Sequence, residues 1–153
     1  MLSRFEQFSF AISGISRYIQ KIERDEMVKY GYKGAFAQYL IALNRFPEGI
    51  TMTELCACCD KDKAAVSRII SEMVDKGLVL RQNEGVKVYN SRLLLTDEGK
   101  KAADFVLERG ESAVELVSQL SESERKALYS ALDSILSKLE VLAEEGLPSR
   151  NSD

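Results

Sequence analysis

Residues 51–77 read Thr51-Met-Thr-Glu-Leu-Cys-Ala-Cys-Cys-Asp60-Lys-Asp-Lys-Ala-Ala-Val-Ser-Arg-Ile-Ile70-Ser-Glu-Met-Val-Asp-Lys-Gly77, and this stretch decides the fold. It predicts two short helices joined by a tight turn. Thr51 with Glu54 three residues on has capping-box spacing, in which hydroxyl and carboxylate each satisfy an otherwise free amide. Leu55, Cys56 and Cys59 then share one face. The turn falls at Asp60-Lys61, and the Asp62 carboxylate caps the next helix. In that second helix Val66, Ile69, Ile70 and Met73 form an apolar stripe at helical spacing. Lys63, Ala64, Ser67, Arg68 and Ser71 make up the opposite face. Small residues there let a backbone approach a DNA major groove, while hydroxyls and the guanidinium reach base edges and phosphates. An ordinary amphipathic surface helix carries the same pattern, so the neighbouring sequence has to decide.

The neighbours favour DNA. Gly77 ends the second helix. Leu78 to Arg81 predicts a strand, Glu84-Gly85 a hairpin turn, and Arg92 to Leu95 the returning strand, with Thr96 capping a further helix. Helix, helix, hairpin is a winged helix-turn-helix arrangement, mainly α with a small β-hairpin wing. Lys61 in the turn and Lys87 and Arg92 on the wing are candidate phosphate contacts.

Four blocks now stand at matching spacing: Thr51-x-x-Glu54-Leu55, Asp62-Lys63-x-x-Val66-Ser67-Arg68-Ile69-Ile70, Lys76-Gly77-Leu78-Val79-x-Arg81, and Leu95-Thr96-x-x-Gly99. Together they resemble the DNA-binding core of the MarR family of bacterial transcriptional regulators. The resemblance implies a recognition helix with Lys63, Ala64, Ala65, Ser67, Arg68 and Ser71 at or near DNA. It also implies a homodimer on a roughly palindromic duplex, acting as a repressor. Two positions depart from the pattern. The wing's usual Asp-x-Arg is replaced by Lys87 and Tyr89, and a common helix arginine is Glu72. These departures motivate the rival reading, a winged-helix protein-interaction module that has lost DNA binding.

Charge distribution agrees with the resemblance. The 153-residue chain has net charge −3. Residues 1–60 are neutral overall and residues 97–153 carry −6, whereas residues 61–96 hold seven basic and four acidic side chains, net +3. The positive excess therefore sits on the helix pair and wing, where phosphates would be met. No apolar run approaches the roughly 20 residues that span a bilayer. The cysteines at 56, 58 and 59 form no paired extracellular framework and fit a reducing cytoplasm. With no histidine in the chain, His-dependent triads and most zinc sites are excluded. No catalytic constellation assembles, and no cofactor or metal is expected.

Flanking the core, residues 5–25 predict an amphipathic helix with Phe5, Phe8, Ile12, Ile15, Ile19 and Ile22 on one stripe. Lys29 to Gly34 predicts a loop, and 35–46 a second helix with Phe36, Tyr39, Leu40 and Leu43 inward. Beyond the wing, a long helix from Asp97 carries Ala102, Val106, Arg109, Ala113, Leu116 and Leu120 on one stripe. Ser121-x-x-Glu124 opens a last helix with Leu128, Leu132, Ile135, Leu139 and Leu142 as its seam. The expected layout is a single domain over 1–146, with the winged core at 35–96, dimerisation helices at 5–25 and 97–145, and a disordered tail at 147–153. The family resemblance further implies a small aromatic ligand in a crevice lined by Tyr18, Tyr30, Tyr32, Phe36 and Tyr39, though the same rings suit a plain core. Cys58 should point outward near the DNA side and is a candidate redox sensor; the alternative is an incidental thiol.

Overall fold

A computed structural model describes residues 1–83 and 91–149 of the chain. Six helices and one hairpin follow in the order α1 (Arg4–Tyr30), α2 (Phe36–Asn44), α3 (Met52–Cys59), α4 (Lys63–Asp75), β1 (Val79–Gln82), β2 (Arg92–Leu95), α5 (Asp97–Ser118) and α6 (Glu122–Glu145). The chain divides into two compact units, Met1–Ala113 and Val114–Asp153, with the division inside α5. The predicted hairpin turn at Glu84-Gly85, Lys87 and Tyr89 lie outside the described residues, as do the last four residues of the tail.

In the first unit, side chains from α1, α2, α3, α4, the hairpin and α5 close one core. Met27, Phe36, Leu40, Leu43, Leu55, Val66, Ile70, Met73, Leu78, Leu93 and Val106 are almost wholly removed from water. Each such side chain contributes roughly 1.5–3 kcal/mol relative to leaving it exposed. The expected inward faces of α2 and α4 supply most of them, although Ile69 is only half-buried.

The local signals for α3 and α4 act as their chemistry dictates. Thr51 Oγ1 accepts from the Glu54 N–H at 3.3 Å, and Glu54 Oε2 accepts from the Thr51 N–H at 2.8 Å. Asp60 closes α3 in the left-handed region at φ 50°. Two residues later Asp62 Oδ1 accepts from the Ala65 N–H at 2.9 Å and starts α4.

β1 and β2 pair antiparallel, with Val79 opposite Leu95 and Gln82 opposite Arg92. Ile50 adds a short third edge that the sequence did not reveal. Its N–H donates to the Leu93 carbonyl at 3.1 Å, and Leu93 donates back at 2.8 Å. Thr96 fastens the foot of the hairpin: its hydroxyl donates to the Gly77 carbonyl at 2.6 Å and accepts from the Gly99 N–H at 3.0 Å. The Leu-Thr-x-x-Gly spacing thereby acquires a cause. A Cβ on Gly99 would lie 2.0 Å from the Leu78 carbonyl oxygen, so only glycine lets α5 approach the strand this closely.

One boundary is corrected. The expected first helix ended near residue 25, with a loop from Lys29. Instead α1 continues to Tyr30 and stops at Gly31, whose φ of 109° is left-handed. The charged run Glu23-Arg24-Asp25-Glu26 does not end it, because Glu26 and Met27 are buried against the core and tertiary packing carries the helix on. Glu26 receives Lys29 Nζ at 2.5 Å and Arg109 Nε at 2.9 Å, which clasps α1 to α5. These hydrogen bonds, from Lys29 first and Arg109 second, hold the Glu26 carboxyl below its ordinary range.

The N-terminal part of α1 is different. Phe5, Phe8, Ile12, Ile15, Ile19 and Ile22 are all exposed. In the second unit, α6 opens with the predicted Ser121–Glu124 capping box and has no buried residue. Leu128, Ile135, Leu139 and Leu142 on its seam are exposed too.

Candidate nucleic-acid interface

The packing of α4 determines which of its side chains face outward. Val66, Ile70 and Met73 are buried, which turns Lys63, Ala64, Arg68 and Ser71 to solvent. Ser67 and Ala65 lie at the edges of this face and are half-buried. Lys61, in the turn before α4, is exposed as well. Among the described residues neither Arg68, Lys63 nor Lys61 has an ion-pair partner, so their charges are free for an external anion.

Of the two candidate wing contacts, Arg92 lies among the described residues and is exposed. Arg92 Nη1 donates to the Gly49 carbonyl at 2.9 Å, bracing the root of the hairpin against the segment before α3. Its charge also helps, after the Thr51 N–H and hydroxyl, to keep the Glu54 carboxyl below its ordinary range. The expected phosphate contact is thus partly committed to holding the wing in place. Lys87 lies outside the described residues.

Glu72, at the position where an arginine is common, pairs with Lys33 from the loop between α1 and α2. Those partners are 39 residues apart, and no local pattern predicts them.

The five expected pocket aromatics do not converge. Tyr30 and Tyr32 lie with ring centres 6.0 Å apart, and Tyr32 and Phe36 6.4 Å apart. Phe105 of α5, which the sequence reading missed, joins Tyr30 at 4.7 Å. Tyr18 stands three turns back along α1, about 18 Å from Tyr30 at 1.5 Å per residue. It is exposed beneath the Arg17 guanidinium. Tyr39 is buried on the α3 side, where desolvation, with a smaller push from Cys59 and Cys56, raises its pKa. The rings brought together are Tyr30, Tyr32, Phe36 and Phe105.

Of the three thiols, Cys58 is exposed while Cys56 and Cys59 are half-buried. Burial pushes Cys59 up to about 11, so it stays a protonated, poorly nucleophilic thiol at neutral pH. Among the described residues no group of three His, Cys, Asp or Glu side chains could hold a metal ion.

This arrangement can be set beside known proteins. Residues 30–87 match the family model described as the MarR family. Over that stretch the chain resembles the winged helix of that family. A MarR transcriptional regulator from Methanosarcina mazei Go1 superposes with TM-score 0.73 at 26% identity, covering 89% of this chain and 99% of that one. A putative MarR family regulator from Listeria monocytogenes, solved with a 26mer DNA, gives TM-score 0.73 at 21% identity, covering 97% and 99%. MepR from S. aureus in a DNA complex gives 0.67 at 21% identity, covering 91% and 99%. At the lower identities the likeness is one of fold. No curated protein matches the chain. The Methanosarcina protein is described as a transcriptional regulator, and the Listeria and S. aureus proteins were solved with DNA. No helix among the described residues is long and apolar enough to cross a membrane.

Proposed function

We propose that the chain acts in the cytoplasm as a homodimeric, sequence-specific repressor that inserts α4 into the major groove of a roughly palindromic operator. The observation carrying this reading is that Lys63 and Arg68 on the outer face of α4, and Lys61 in the turn before it, have no ion-pair partner among the described residues, while the other side of α4 is locked into the core. Ala64, Ala65, Ser67 and Ser71 complete that face with residues small enough for close approach. Dimerisation is supported by the apolar stripes that α1 and α6 each leave exposed, since exposed apolar surface favours a partner. Two such copies would present recognition helices about one DNA turn apart.

Two effectors fit the surroundings. A small aromatic molecule could stack in the row of Tyr30, Tyr32, Phe36 and Phe105, where α1 and α2 meet α5, and shift the balance between DNA-competent and incompetent forms. Oxidation of the exposed Cys58 would add a polar group to α3 of the helix-turn-helix.

Fluorescence titration of labelled random duplex at rising salt tests the central reading. Binding at low salt that falls steeply with log salt supports it. Absence of binding even at low salt would sink it in favour of a protein-interaction module built on the same fold.

A further inference from the structure

Glu72 is an acid on a DNA-facing helix, and its placement gives it a specific electrostatic problem. It lies four residues after Arg68 and one after Ser71, so it flanks the exposed face of α4. Residues i and i+4 on a helix are neighbours, so a free Glu72 carboxylate would pair with the Arg68 guanidinium. That pairing would withdraw the charge from phosphates and add an anion to a surface that must approach anions. In the structure neither happens, because Lys33 holds Glu72. The Glu72 side chain is 34% exposed, and Arg68 is left without a partner among the described residues.

Lys33 is itself well placed for this. Gly31 ends α1 in the left-handed region, and the backbone then folds back: Tyr32 donates to the Met27 carbonyl at 3.2 Å, and Phe36 to the Lys33 carbonyl at 3.0 Å. Gly34 presses on Arg24 of α1, where a Cβ would come within 3.1 Å of the Arg24 carbonyl oxygen. The Lys33 backbone is fixed on both sides, and only its side chain is free to reach α4.

We propose that Lys33 is a positioning residue for DNA binding: it neutralises Glu72 and so keeps Arg68 available to the duplex. The inference rests on the DNA-binding reading above. Lys33 acts through Glu72 and need not touch DNA.

A double-mutant cycle on the full chain tests it, using a random-sequence duplex at low salt. Lys33→Ala should weaken binding about three- to fivefold, the scale of one surface charge interaction. Glu72→Gln should bind as tightly as the unaltered protein or tighter. In the Glu72→Gln background, Lys33→Ala should have no further effect, and Lys33→Arg should keep full affinity. Thermal midpoints should stay within about 2 °C throughout, since an exposed pair contributes little to stability. Equal losses from Lys33→Ala in both backgrounds would overturn the proposal and make Lys33 a direct phosphate contact. Weaker binding by Glu72→Gln would overturn it too, as would a large fall in the Lys33→Ala midpoint. If the unaltered protein and Arg68→Ala bind equally poorly, the DNA-binding reading itself fails and this inference falls with it.

Discussion

The segment from Glu26 to Val106 and the helix α6 are both rich in apolar residues, yet they use them in opposite ways. Every buried residue among those described lies in the first; α6 has none. The N-terminal part of α1 sides with α6, with its phenylalanines and isoleucines in water. Sequence patterning alone cannot separate these cases, because a helical stripe looks the same whether its partner is in the same chain or another. The winged segment meets its apolar needs internally, and the terminal helices leave theirs exposed.

This contrast can be attacked directly. Leu55→Ala removes a wholly buried side chain, and unfolding in urea should show a loss of about 2–5 kcal/mol. Gly99→Ala drives a methyl into the Leu78 carbonyl and should cost about 1–3 kcal/mol in the same measurement. Arg68→Ala, on the exposed face, should leave the melting midpoint alone and weaken DNA binding by about 1–3 kcal/mol if the contact is bidentate. Leu139→Glu on α6 should leave the fold intact by circular dichroism but lower the mass seen by sedimentation at micromolar concentration. If its effect were instead a loss of monomer stability like that of Leu55→Ala, the two regions would not differ as described.

The smallest effect concerns acid. Glu26 titrates lower when folded, so its contribution is present at neutral pH and fades as pH falls through the depressed value. Glu26→Gln should therefore lose less stability than the unaltered protein as pH falls from about 5, followed by thermal melting.

What the sequence disclosed was local. Capping at Thr51, Asp62 and Ser121, the α4 stripe and the strand at Arg92–Leu95 all depend on residues within one or two turns, and each formed where expected. What it hid was non-local. The Glu26–Arg109 clasp joins residues 83 apart, and the Ile50–Leu93 pairing bridges 43 positions. The first explains why α1 overran its expected end. Phe105 joined the ring row for the same reason: nothing in its own neighbourhood pointed towards Tyr30. At the interface, the exposed members of the α4 face could be read from helical phase, whereas the partners of Arg92 and Glu72 could not.

The reciprocal hydrogen bonds between Ile50 and Leu93 reach beyond the wing. Ile50 immediately precedes the cap of α3, so the root of the hairpin and the entrance of the helix-turn-helix are stitched through rigid main chain. If the chain binds DNA as proposed, it would behave as a caliper with a fixed gap between α4 and the base of its wing. Binding sites that differ in local groove width would have to be met by distorting the duplex, so this half of the discrimination would be drawn from DNA stiffness rather than from protein compliance.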